Sequence, residues 1–176
     1  GLCSTYLESY SKSSVTASIK YDSTDDFYLP RKGMAISQSL EKAGLGGDVD
    51  FVKSRTTFGK YVGLEDYIGF DAIARYKARY HHMFGGEKNK YISEKFYMGG
   101  IGSVRGYESY SISSTVIDNG YEKNIGGMQT FSNSAEISFP LIPKAKMRLV
   151  TFLDWGFIGD DSLTEYSRGG YGAGLE

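Results

Sequence analysis

The sequence predicts an all-β chain: an antiparallel meander of about seven strands, with one long loop folding inward. Three observations predict it. Apolar and polar residues alternate with period two in most segments, which is the strand period. Gly (23) and Tyr (15) are abundant among 176 residues while Pro is only 3; Tyr favours strands, and Gly serves turns and close backbone approach. The connections are short, with one exception.

The elements follow in chain order. Val15, Ala17, Ile19 and Tyr21 share one face and Ser14, Thr16, Ser18 and Lys20 the other. The turn-like Asp22-Ser23-Thr24-Asp25-Asp26 and then Pro30-Arg31-Lys32-Gly33 close that strand. Met34, Ile36, Gln38 and Leu40 next oppose Ala35, Ser37, Ser39 and Glu41, until Gly44, Gly46 and Gly47 break the pattern. A longer strand near Val49 to Leu64 mixes both characters, so its facing stays ambiguous. From Phe70 to Tyr80 the alternation is clearest. Phe70, Ala72, Ala74, Tyr76, Ala78 and Tyr80 oppose Asp71, Arg75, Lys77 and Arg79, interrupted only by Ile73. Ala135, Ile137 and Phe139 oppose Ser134, Glu136 and Ser138; Met147, Leu149, Leu153, Trp155 and Phe157 oppose Arg148, Val150, Phe152 and Asp154. Tyr171-Gly172-Ala173-Gly174-Leu175 reads as a strand that stops early. On alternation alone, a soluble sheet with one wet face is the commoner arrangement, and a barrel with charges in its lumen is the rival.

Composition excludes several classes. A formal net charge of −1 argues against nucleic acid as a partner. The lone Cys3 allows no disulfide within the chain. No apolar run approaches the ~18–20 residues of a membrane helix, which leaves open a barrel, whose strands need only ~9–11. No secretory signal opens the chain, so an exported protein would be a fragment or processed form. Catalytic chemistry is not indicated. His81 and His82 are adjacent and diverge on a strand, Gly99, Gly100 and Gly102 lack a following Gly-Lys-Ser/Thr, and Asp25 and Asp26 lack calcium-loop spacing. No serine sits in a nucleophile elbow. No catalytic residue, metal site or cofactor is expected.

The exceptional connection lies between His81 and Gly127, a loop of about residues 82–126. Structureless loops beyond ~12–15 residues are uncommon and are usually functional or disordered. This one carries Tyr91, Phe96, Tyr97, Met98, Val104, Tyr107 and Tyr110, which need burial, so it should fold back into an enclosed space. Within it stands Phe96-Tyr97-Met98-Gly99-Gly100-Ile101-Gly102-Ser103-Val104-Arg105-Gly106-Tyr107. This string resembles the BamA family of outer-membrane assembly factors, the bacterial surface antigen superfamily, whose barrels carry a Gly-Gly pair, a spacer and a Val-Arg-Gly-Phe/Tyr core. Further stretches fit the same template in order. They are the aspartate-rich turn closing on Pro30 to Gly33, Glu136-Ile137-Ser138-Phe139-Pro140, Phe152-Leu153-Asp154-Trp155-Gly156 and Gly170 to Leu175.

The resemblance covers nearly the whole chain and implies a partial barrel domain over residues 1–176. That domain would be part of a sixteen-stranded transmembrane β-barrel, running from near the ninth strand into the fifteenth. The closing strand, the earlier barrel strands and the periplasmic POTRA domains would be absent. It implies that the loop tucks inside and that Arg105 meets Glu136 and Asp154 on the inner wall. Bottom-up facing agrees: both carboxylates lie on the polar faces of consecutive strands. The alternative is that both are ordinary solvated lumen residues. Gly99, Gly100 and Gly106 would permit backbone shapes that a β-carbon blocks. Val104 belongs to the same core, and Tyr107 would pack the loop against the wall. Trp155, on the apolar face, would sit at the lipid interface.

By the same resemblance, the parent protein folds and inserts β-barrel proteins into the cell outer membrane of a Gram-negative bacterium. Its partners would be unfolded outer-membrane proteins as clients, accessory lipoproteins of an assembly complex, and the lipid bilayer. The mechanism implied is strand addition at a weakly closed seam. Three rivals stand beside it: a two-partner-secretion-type polypeptide translocator, a passive porin, and a soluble β-rich binding module. An incomplete cylinder would have no insertase activity alone and would self-associate through open strand edges.

Overall fold

The structure, a computed structural model, describes residues 10–85 and 92–176; Cys3 and Tyr91 lie outside the described residues. Nine strands form. Seven make one sheet: β1 (Ser14–Asp22), β2 (Lys32–Ala43), β3 (Phe51–Gly63), β4 (Ile73–Phe84), β7 (Gln129–Ile142), β8 (Met147–Gly159) and β9 (Tyr166–Leu175). Their order is β1-β2-β3-β4-β7-β8-β9, each pair antiparallel, so neighbours in sequence are neighbours in space. The other two, β5 (Ser114–Asp118) and β6 (Tyr121–Gly126), form a hairpin inside the long connection.

Alternation in the sequence becomes facing in the sheet. One inward row runs Tyr61, Arg75, Glu136, Phe152, Gly172 across five strands; the next runs Gly59, Lys77, Ser134, Asp154, Gly170. Between them, on the opposite face, lies Lys60, Tyr76, Ala135, Leu153, Tyr171. The outer face stays uncovered: Ile19 is 73% exposed, Leu153 52% and Tyr171 88%. Such a contiguous apolar face is stable against lipid and unstable against water. The inner face is mostly polar, apart from single residues such as Ile73 and the area where the loop lands. There two small cores form: Ala43, Val49, Phe51 and Met83 with Phe96 and Met128, and Ile158 with Met98, Val104 and Ile112.

Some elements differ from the sequence expectation. β3 resolves the ambiguous Val49–Leu64 stretch: Phe51, Lys53, Arg55, Thr57 and Tyr61 face inward by register with β4. Each of its faces carries both polar and apolar residues, so period alone cannot orient it. β4 begins at Ile73 rather than Phe70. Phe70 to Ala72 close a turn after a short helix, α1 (Glu65–Ile68), where Gly69 takes φ 66° and the Leu64 amide donates to the Ala72 carbonyl at 2.8 Å. Ile73, the break in the alternation, faces inward and is fully buried. The β5–β6 hairpin was not expected within the loop. Its strands are too short to register as alternation, but Asn119-Gly120 is a strong hairpin turn signal. Both residues have positive φ, 53° and 82°, as a type I′ turn requires.

Candidate functional site

The long connection is led onto the inner wall step by step. A single turn at Ile92–Glu94 brings the Glu94 carboxylate to Lys53 on β3, to Lys12 at 3.1 Å and to the Tyr10 hydroxyl at 3.0 Å. Burial opposes the Glu94 charge, yet the Lys53 and Lys12 hydrogen bonds hold its carboxyl below the usual range. Next to it, Lys95 Nζ donates to both oxygens of Asp160 at 2.8 and 3.0 Å, and Asp160 also accepts the Met128 amide at 3.1 Å. Two backbone bridges follow, Phe96 with Gly127 and Met98 with Ile112, so the two legs of the loop run side by side.

The motif then reverses direction. The Gly100 amide donates to the Tyr107 carbonyl at 2.9 Å, and Ser103 Oγ accepts the Gly99 amide at 2.7 Å. Gly99 and Gly100 both have positive φ. Gly106 has φ 92° and nothing within 4 Å of where a β-carbon would sit, so backbone angle rather than space demands glycine there. Val104 is fully buried against Met98, Ile112 and Ile158. Its burial fixes the direction of the next side chain.

That side chain is Arg105. Its Nε donates to Asp154 Oδ2 at 2.6 Å and its Nη2 to Asp154 Oδ1 at 2.7 Å, a bidentate fork. Nη1 pairs with Glu136 Oε1 at 2.8 Å and Nη2 also donates to Ser134 Oγ at 2.8 Å. The backbone amide of residue 105 donates to Asp154 Oδ2 at 3.0 Å. The guanidinium carbon lies 3.6 Å from the centre of the Phe152 ring. All three guanidinium nitrogens are therefore engaged, in a pattern that a lysine point charge cannot reproduce. Side-chain exposure is 1% for Asp154, 10% for Glu136 and 23% for Arg105, so neither acid is a solvated wall residue. The hydrogen bond from Asp154 foremost raises the Arg105 pKa above its ordinary value. The arrangement ties the loop tip to β7 and β8 together.

The clamp continues along the wall as alternating charges. Glu136 reaches Arg75 at 3.5 Å, and Arg75 pairs with Glu176. Glu176 lies 3.8 Å from Arg148, which donates to Asp71 at 3.0 Å; Arg31 in turn donates to Asp71 at 2.7 and 3.1 Å. Arg31 and then Arg148 depress the Asp71 pKa to about 2.

Residues the sequence reading did not select complete the site. Ser134 and Phe152 each stand two positions before a chosen carboxylate, on the same face; period two points to Ser134, whereas Phe152 is an apolar break in the polar face. On β9 a β-carbon at Gly170 would lie 2.4 Å from the Arg105 carbonyl oxygen, so the loop backbone presses flat on that strand. Tyr107 packs beside the Val104 cluster, and its hydroxyl donates to the Gly169 carbonyl at 3.3 Å. Trp155 faces outward, its ring 6.3 Å from that of Tyr76. His81 faces inward against Phe96 and His82 outward beside Tyr80. Among the described residues no group of three His, Cys, Asp or Glu could hold a metal ion.

Comparisons with known proteins place this geometry. The chain is 32% identical over 148 residues to the outer membrane protein assembly factor BamA of Nitratidesulfovibrio vulgaris, which covers 83% of this chain and 18% of that protein. It is 40% identical over 105 residues to BamA of Neisseria meningitidis, covering 52% and 13%. It is 32% identical over 108 residues to the human sorting and assembly machinery component 50 homolog, covering 57% and 21%. The chain thus spans less than a quarter of these relatives' length. The crystal structure of BamA from Haemophilus ducreyi lacking POTRA domains 1–3 shares the fold, with a TM-score of 0.76 at 20% identity over 92% of this chain and 35% of that one. The Omp85 superfamily domain matches residues 4–176, the stretch that holds every strand and the clamped loop, and the chain belongs to that superfamily.

Proposed function

We propose that the protein carrying this chain folds and inserts β-barrel proteins into the outer membrane of a Gram-negative bacterium. This chain supplies part of the wall of its barrel, and the Arg105 loop braces that wall from within. The observation that carries the reading is the enclosed Arg105 fork on Asp154, extended to Glu136, which couples the loop to two consecutive strands. A brace of this kind keeps one part of a barrel rigid while another part opens. An opened strand edge then offers unpaired N–H and C=O groups to an incoming client strand. Clients would be unfolded outer-membrane proteins, and accessory lipoproteins would complete the complex. The relatives from two bacteria and from human are named as assembly components, which favours assembly over polypeptide secretion or passive conduction. The far edges of β1 and β9 carry no partner strand among the described residues, so the isolated chain should self-associate through them.

The test is complementation of a depletion strain by the full natural protein carrying Arg105→Ala. Folded client barrels, counted by heat-modifiable migration, should fall while the variant itself reaches the membrane. Pairing Arg105→Glu with Asp154→Arg should partly restore them. Normal client assembly by Arg105→Ala at wild-type abundance would overturn the proposal, and a change confined to ion conductance would point to a passive pore.

A further inference from the structure

We propose that Lys60 and the groove beside it bind one glycerophospholipid with an anionic headgroup; this rests on the reading of the outer face as lipid-facing. Charged side chains on lipid-facing positions are rare and tend to mark function. On the strands of this sheet every Asp and Glu, and eight of the eleven Lys and Arg, fall on inward positions. The outward cations are three. Lys32 pairs with Asp66 at 3.8 Å, and Lys42 pairs with Asp50, both at strand ends. Lys60 is the third. It is exposed and has no acidic partner among the described residues.

Lys60 stands three residues before the end of β3 at Gly63, roughly 10 Å along the strand at ~3.3 Å per residue. That end of the sheet carries the short turn Pro143–Ala145 and the turn holding α1, while the long loop leaves from the other end. Long loops mark the extracellular side of a bacterial barrel, so the end opposite the long loop is read as periplasmic. The ammonium therefore sits just within the hydrocarbon edge of the periplasmic leaflet, a depth its own methylene stem spans to reach a phosphate. Beside it an open groove of about 540 Å³ runs across β4 and β7 to β8. Its floor is low because Ala74 and Ala135 are small, and Tyr76, Ile137 and Leu153 form its walls. A cation at the mouth of an apolar trough matches a phosphate joined to an acyl chain. Free phosphate would leave the trough empty.

Trp155 is the chain's single tryptophan, and its ring neighbours Tyr76 at the groove's edge. The natural protein is reconstituted with Trp155 as sole tryptophan, in bilayers holding either acyl-brominated phosphatidylglycerol or acyl-brominated phosphatidylcholine at equal bromine density. Bromine quenches only on contact, so the signal reports acyl chains rather than free headgroups. Phosphatidylglycerol should associate with about fivefold preference. Lys60→Gln should remove the preference and Lys60→Arg keep it. Equal quenching by both lipids in the unaltered protein would overturn the site while leaving the lipid-facing reading intact. Quenching by neither would overturn the site and that reading together.

Discussion

Replacing Arg105 with alanine tests the clamp most directly, and the structure sets the size of the effect. The change removes both guanidinium donors from an Asp154 carboxylate that is 1% exposed, leaving it the residue 105 backbone amide at 3.0 Å and the Ser134 hydroxyl. Stripping one partner from a buried ion pair costs about 3–5 kcal/mol. Expressed as loop docking, that is about 150- to 5,000-fold in the equilibrium between docked and released loop. Asp154→Ala should cost less, because Arg105 keeps Glu136, Ser134 and the Phe152 ring and is itself 23% exposed. The two changes share one interaction, so the double variant should be little worse than Arg105→Ala alone. Hydrogen exchange of amides 98–112 reads the docking free energy, while the strand amides report that the sheet persists. Additive losses from the two single variants, or unchanged protection of the loop in Arg105→Ala, would refute the reasoning.

Three further outcomes are expected. Gly170→Ala should release the loop with the sheet intact, because its β-carbon would meet the Arg105 carbonyl at 2.4 Å. Gly174→Ala, whose β-carbon meets only Val150 at 3.8 Å, should leave loop exchange unchanged. Phe152→Leu keeps bulk but removes the ring face under the guanidinium, so loop protection should fall about 2- to 30-fold, the equivalent of ~0.5–2 kcal/mol. The Asp71 pKa is lowered from 3.8 to about 2 by Arg31 and then Arg148, so the ionised carboxylate stabilises the fold. That contribution is complete above the unfolded pKa near ~3.9 and is lost as pH falls through about 2. Melting curves of the protein and of Asp71→Asn should therefore differ above pH ~4 and converge toward pH 2.

Much of the site was legible because strand facing is binary. Once Glu136 and Asp154 fell on polar faces of adjacent strands, only one side of the sheet could hold them both, and the Val-Arg-Gly string named the residue to meet them. What stayed hidden has two physical causes. Some requirements are absences: nothing in the letters of Gly170 says that the missing β-carbon makes room for the Arg105 carbonyl, since the partner is 65 residues away in sequence. Others are residues that break the alternation, which a periodicity count treats as noise. Phe152 is apolar and inward, and it lies under the guanidinium. Gln38 is polar and outward, and its amide donates to Ser54 Oγ at 2.9 Å on the neighbouring strand. Asn133 is polar and outward, and it accepts the Tyr76 hydroxyl at 2.7 Å. In each case a specific contact accounts for the misplaced polarity, which is what a sequence consistent everywhere else should show. Lys60 is an outward cation with no acidic partner among the described residues, and the proposed lipid phosphate would supply that partner.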